Sequence, residues 1–138
     1  MRRVGLKFHF MADIDERGWK AVMDEILAGI EKGGTKHLFV SVDTDCLDPA
    51  YAPGMGTPEP GGMTIRELFP MLRAATIAHD VVGIELVEVN PIVDQTYRSK
   101  QVAARILREL MTGLALRKRG VTDPYYVDWD WARHGGGR

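Results

Sequence analysis

Two apolar runs of strand length, HLFVSVD (37–43) and VVGIELVEV (81–89), flank a stretch with helical character, and this triplet limits what the chain can become. HLFVSVD reads as a strand covered on both faces, as in a parallel sheet, and VVGIELVEV as the next strand. Parallel neighbours need a long crossover, and residues 64–79 supply one. Thr64-Ile65-Arg66-Glu67 has the form of a capping box: the threonine hydroxyl and the Glu67 carboxylate can satisfy free N–H groups at a helix start. Pro70 is a potential kink in that helix.

The remaining elements extend the same order. VGLKFHF (4–10) alternates and predicts a further strand. Residues 13–32 predict a helix, with Ile14, Val22, Ile26 and Ile30 at helical spacings apart from one eight-residue gap, and Gly33-Gly34 as its end. From Asp94 or Thr96 to Arg119 a long amphipathic helix is predicted, stopped by Gly120. The order β-α-β-α-β-α predicts an α/β fold with a parallel sheet.

At 138 residues the chain amounts to one domain with room for a core. Eighteen basic and nineteen acidic residues leave a net charge of −1, which argues against a broad footprint for nucleic acid or a membrane surface. No apolar run is long enough for a membrane span. The start, MRRVGLKFHFMADIDERG, is a poor signal peptide because Lys7 and His9 break its apolar run. Cys46 is the one cysteine, so an internal disulfide is impossible and a reducing cytoplasm is the expected location.

The chemistry concentrates in SVDTDCLDPAYAPGMGTPEPGG (41–62). Residues i and i+2 of a strand share a face, so Asp43 and Asp45 are expected to project together at the carboxyl end of strand 37–43. That is where ligands sit in parallel α/β sheets. Two converging carboxylates suit a divalent cation, and added imidazoles would widen the choice of metal. A solvated strand end, with Asp48-Pro49 opening a turn, is the plainer alternative. The Pro/Gly-rich loop that follows is stiff and permits close backbone approach, which suits a shaped wall better than a loose connector.

Ser41-Val-Asp-Thr-Asp-Cys-Leu-Asp-Pro, followed by Pro53-Gly54 and Gly61-Gly62, resembles a signature of the ureohydrolase family of arginases and agmatinases. The run Gly56-Thr-Pro-Glu-Pro-Gly-Gly is more similar to the agmatinase branch, and Gly83-Ile-Glu-Leu-Val-Glu-Val-Asn-Pro resembles the family's last core strand. The resemblance reaches to about Arg119. It implies a three-layer α/β/α sandwich of the arginase/deacetylase kind, present here incompletely: 1–120 as the C-terminal half of the domain and 121–138 as an aromatic, Gly-rich tail. It also implies a chemistry. Two Mn²⁺ ions (Ni²⁺ or another divalent metal being alternatives) activate a bridging hydroxide that attacks a guanidinium carbon, and urea leaves. By motif position Asp43 and Asp45 become metal ligands, and Glu88 binds the guanidinium. The implied partners are a small guanidino substrate and further copies of the chain, as a trimer or hexamer.

Thr44 and Glu85 depart from the family pattern, where an apolar residue and Asp are commoner. The GlyGlyAspHisSer and AspAlaHis-x-Asp motifs that complete the family's metal pair are not in this sequence. His9, His37, His79 and His134 match none of their positions and are expected at the surface or in packing. The alternatives to an agmatinase-like hydrolase are a hydrolase of guanidinobutyrate, guanidinopropionate or guanidine, a member of the related deacetylase branch, and an inert chain that associates through its sheet edge and the tail aromatics Tyr125, Tyr126, Trp129 and Trp131. The loop and Glu88 speak against the deacetylase branch.

Overall fold

The computed structural model describes residues 5–128. Two short helices, α1 (Met11–Arg17) and α2 (Trp19–Lys32), precede strand β1 (His37–Asp43). Helix α3 (Ile65–Ala78), strand β2 (Asp80–Val87) and the long helix α4 (Arg98–Lys118) follow. The single helix expected over 13–32 is therefore two, because Gly18 takes a φ of 79° and interrupts the ladder.

β1 and β2 are parallel neighbours, with His37 opposite Asp80 and Asp43 opposite Val87. Helix α3 is their crossover, as its cap predicts. The Thr64 hydroxyl accepts from Glu67 N–H at 3.3 Å, and the Glu67 carboxylate accepts from Thr64 N–H at 2.7 Å. α3 runs through Pro70, whose ring removes the N–H that the Arg66 carbonyl would otherwise receive.

One face of the sheet is packed. Val42, Val40, Ile84 and Leu86 join Leu68, Leu72, Ile106 and Leu110 in a core to which Ile14 and Val22 also belong. Ile106 and Leu110 are fully buried, and α3 packs along α4. The Glu109 carboxylate lies in that helix seam and is held by Arg105 Nε at 2.6 Å, with Arg73 Nε 3.5 Å away. A buried carboxylate persists only when paired in this way. The opposite face carries Phe39, 62% exposed, over Gly83, with a Ser41–Glu85 hydrogen bond of 2.7 Å beside it. The fold is thus α/β with a parallel sheet, and the expected sandwich is incomplete: the sheet and one layer of helices are present among the described residues.

The strand expected at 4–10 is not formed among its described residues. Residues 5–10 have no strand structure and do not pair with β1. Alternation sets which face a strand would show, but a strand also needs an edge to bond to, and none of the described edges serves this segment. The long C-terminal helix begins at Arg98, with Tyr97 in the left-handed region ahead of it. No helix among the described residues is long and apolar enough to cross a membrane. Part of the tail is tied down. Tyr125 stacks edge-on to Trp19 at 5.9 Å and donates its hydroxyl to Asp24 at 2.7 Å. Trp129, Trp131 and His134 lie outside the described residues.

Candidate active site

Asp43 is the last residue of β1, but Asp45 is not in the strand. Thr44–Cys46 form a single 3₁₀ turn, begun when the Asp43 carboxylate accepts from Asp45 N–H at 2.9 Å. The expectation that strand alternation aligns the two aspartates is therefore corrected: a side chain bonding its own backbone two residues on competes with the strand and ends it. Both aspartates still stand at the carboxyl end of the sheet. Thr44 is buried and donates its hydroxyl to the Val87 carbonyl at 3.2 Å, tying this turn to the end of β2. The polar departure at Thr44 thus has a structural use.

Asp48 serves the loop. Its carboxylate accepts from Ala50 N–H and Gly61 N–H, both at 2.8 Å, and so joins the two ends of the 48–62 segment. The Gly61 bond, then the Ala50 bond, holds its pKa below the usual carboxylate value. Beside it, Leu47 and Met63 bridge the loop's base. Cys46 is exposed as a residue, but partial desolvation of its sulfur by neighbouring atoms, then the charge of Asp43, raises its thiol pKa, so it offers little thiolate at neutral pH.

Glu88 follows β2 with a φ of 60°, in the left-handed region. For a residue other than glycine this conformation costs on the order of 1–2 kcal/mol and has to be held by its surroundings. The holder is the loop. Asn90 N–H donates to the Gly54 carbonyl at 2.8 Å. Gly56 lies so close to the Glu88 carboxylate that a Cβ there would stand 2.8 Å from Oε2. One residue on, the Thr57 hydroxyl donates to Asp45 Oδ2. The loop segment 54–57 therefore touches both the Glu88 and the Asp45 carboxylates. Its own anchor is Ser99, whose Oγ accepts from Gly54 N–H at 2.6 Å.

The three residues singled out in the sequence are thus brought to one end of the sheet, while His37 and His79 are not. His37 pairs with Asp80 at 2.8 Å at the opposite, amino end of the strands, and His79 caps α3. Sequence reasoning missed Thr57, Asn90, Asp94 and Ser99. The signal for Asp94 and Thr96 was the turn chemistry ahead of α4; Ser99 gave none.

The sequence and the fold are shared with known proteins. The arginase-family model matches residues 1–113, and the chain belongs to that family. It is 37% identical over 110 residues to the arginase of Bacillus caldovelox, covering 80% of this chain and 36% of that protein. To the agmatinase of Proteus mirabilis it is 37% identical over 108 residues, 78% of this chain and 34% of the relative. The formimidoylglutamase structure from Bacillus subtilis superposes with a TM-score of 0.78 at 33% identity, over 83% of this chain and 36% of that one. The chain thus spans about a third of the length of the relatives it matches.

Metal dependence is a property of the family, and the donor set present here fits a divalent cation in part. Asp45 Oδ1 is buried with no hydrogen-bond partner, as an oxygen reserved for a cation would be. Carboxylate oxygens are the hard donors that Mg²⁺ and Mn²⁺ prefer. Among the described residues, however, no group of three or more His, Cys, Asp or Glu is arranged to hold an ion. Asp45 thus offers one unpartnered carboxylate oxygen, with Asp43 two residues before it at the end of β1.

Proposed function

We propose that this chain carries about half of the site of an agmatinase-like hydrolase that releases urea from a small guanidino compound. The observation that supports it best is the 54–57 loop, which touches a metal-type carboxylate, Asp45, and a second carboxylate, Glu88, at the same end of the sheet. Glu88 would bind the guanidinium, since a carboxylate and a guanidinium pair through two parallel N–H···O bonds. Asp43 and Asp45 would hold a divalent metal pair, Mn²⁺ being the first candidate. When bound, such a pair supplies a water ionised near neutral pH and positive charge for the oxygens of the transition state. Water adds to the guanidinium carbon, the bond from that carbon to the substituted nitrogen breaks, that nitrogen leaves as the amine with a proton, and the carbon leaves as urea. Glu88, exposed at the end of β2, orients the guanidinium. Relatives named agmatinase, arginase and guanidinobutyrase support this substrate class.

The test is urea release by the protein as expressed from its own gene, supplied with Mn²⁺. Agmatine, guanidinobutyrate, guanidinopropionate, arginine and guanidine are the substrates to try; silence with all five sinks the reading. Asp43→Ala and Asp45→Ala should lose bound metal and turnover together. Glu88→Ala should keep its metal but lose turnover by roughly 10²-fold or more, the scale of a misplaced substrate. The 138-residue chain alone should bind Mn²⁺ only at millimolar order or weaker, because two carboxylates lack the further ligands that tight sites need. An inert, associating chain is the second reading, favoured by the open sheet face with Phe39 and Val82 exposed.

A further inference from the structure

We infer that Asp94 and Ser99 are positioning residues for the candidate guanidinium-binding carboxylate: acting through Gly54, they fix the 54–57 loop against Glu88 and Asp45. For its ligand the inference rests on the guanidino-hydrolase reading. Both side chains are buried, Asp94 to 4% and Ser99 to 2% exposure, and neither has a role in the core. Their polar atoms are spent on one chain of bonds. Asp94 Oδ1 accepts from Thr96 N–H at 2.9 Å and from the Thr96 hydroxyl at 2.7 Å. Asp94 Oδ2 accepts from Ser99 N–H at 2.7 Å, which sets Ser99 in the first turn of α4. Ser99 Oγ then accepts from Gly54 N–H at 2.6 Å, across 45 residues of sequence.

Gly54 is the point where this chain of bonds meets the site. Its N–H is held by Ser99 and its carbonyl by Asn90 N–H, two residues beyond Glu88. It also sits so tightly that a Cβ would lie 2.6 Å from Asp94 Cβ and 2.9 Å from Ser99 Oγ. A loop clamped at both polar groups of one residue transmits the clamp to its neighbours. Those neighbours are Gly56, against the Glu88 carboxylate, and Thr57, bonded to Asp45. Removing the Ser99 hydroxyl leaves a buried N–H unpaired, and the loop must shift to satisfy it. A shift of about 1 Å at a substrate-orienting group is enough to cost on the order of 10²-fold.

The experiment uses the protein as expressed from its own gene, loaded with Mn²⁺. It compares Ser99→Ala and Asp94→Asn with Ile106→Val, a core change on the same helix that reaches the site through no hydrogen bond. Amide hydrogen exchange at Gly54–Thr57, bound metal, and kcat and KM for agmatine or whichever guanidino compound it hydrolyses are measured. Both relay variants should speed exchange at these amides and lower kcat/KM by roughly 10- to 100-fold, mostly through KM, with bound metal unchanged. Ile106→Val should do neither. Unchanged exchange in both relay variants overturns the proposal, as does a KM that stays at the wild-type value or rises equally in Ile106→Val. A wild-type protein that releases no urea sinks the guanidino reading instead, and hydrogen exchange then decides the relay by itself. Should Ser99→Ala fail to fold, Asp94→Asn carries the same comparison.

Discussion

Residues 47–63 and residues 5–10 are both irregular, joined to no regular strand, and they differ in almost everything else. The first segment buries Leu47, Ala52, Met55 and Met63, and ties its backbone to Asp48, Asn90 and Ser99. The second leaves Leu6, Phe8 and Phe10 exposed by 55%, 41% and 66%, with the backbone of Phe10 tied to Asp13. Order in a protein follows from whether backbone polar groups find partners and apolar groups find cover, and not from membership of a helix or strand. A proline- and glycine-rich loop can therefore be the best-fixed part of a fold, and a segment patterned as a strand the least fixed.

The largest test of that contrast is Met55→Ala. Met55 is 3% exposed within the core, and its truncation should cost about 2–5 kcal/mol in denaturant unfolding. Next comes Gly54→Ala. The added methyl would meet Asp94 Cβ and the Asn90 carbonyl at 2.6 and 2.7 Å, so overpacking of about 1–3 kcal/mol is expected by the same measurement. A wild-type midpoint in either variant would show that the loop is looser than its bonds imply.

A smaller effect should appear in the pH dependence of Asp94. The Thr96 hydroxyl above all, with the N–H groups of Ser99 and Thr96, holds this carboxyl well below the usual range, against a desolvation that pushes the other way. A folded pKa below the unfolded one contributes stability that is fully present above the unfolded value, near 4, and is lost as pH falls from there. Wild type should therefore be more stable than Asp94→Asn at pH 7, and the gap between them should narrow as unfolding is measured at successively lower pH. A gap that stays constant from pH 7 to pH 3 would mean that the Asp94 charge does not hold the loop.

The division between the two segments is also the division between what could and could not be read from the amino acids. β1, α3 and β2 were legible because their signals are local: apolar runs, and Thr64 with Glu67 three residues on. The convergence of Asp43, Asp45 and Glu88 at one sheet end followed from parallel pairing of two such runs. Within the site, local turn chemistry overrode the strand alternation assumed for Asp45, since Asp43 bonds Asp45 N–H and turns the chain where β1 ends. The left-handed backbone at Glu88 was not legible, because nothing in Val87-Glu88-Val89 demands it; the Gly54–Asn90 bond does. Ser99 was hidden for a related reason, as its one telling bond joins residues 45 apart. At 5–10 the alternation was real, and among the described residues no strand edge pairs with it.

The smallest predicted effect lies in that last segment, and it sharpens the comparison most directly. Leu6→Ala removes about as much apolar volume as Met55→Ala, from a residue equally outside any helix or strand. If irregular backbone were weakly held everywhere, the two substitutions would cost similar amounts. Leu6 is 55% exposed, so truncation gives up little buried area and leaves no closed cavity. Surface changes of this kind stay within about 0.5 kcal/mol. Unfolding of the 138-residue chain in denaturant, with Leu6→Ala and Met55→Ala measured side by side, should return a midpoint near wild type for the first and a large fall for the second. Equal losses would mean that residues 5–10 are packed as firmly as the loop, and that the contrast between the two segments does not hold in solution.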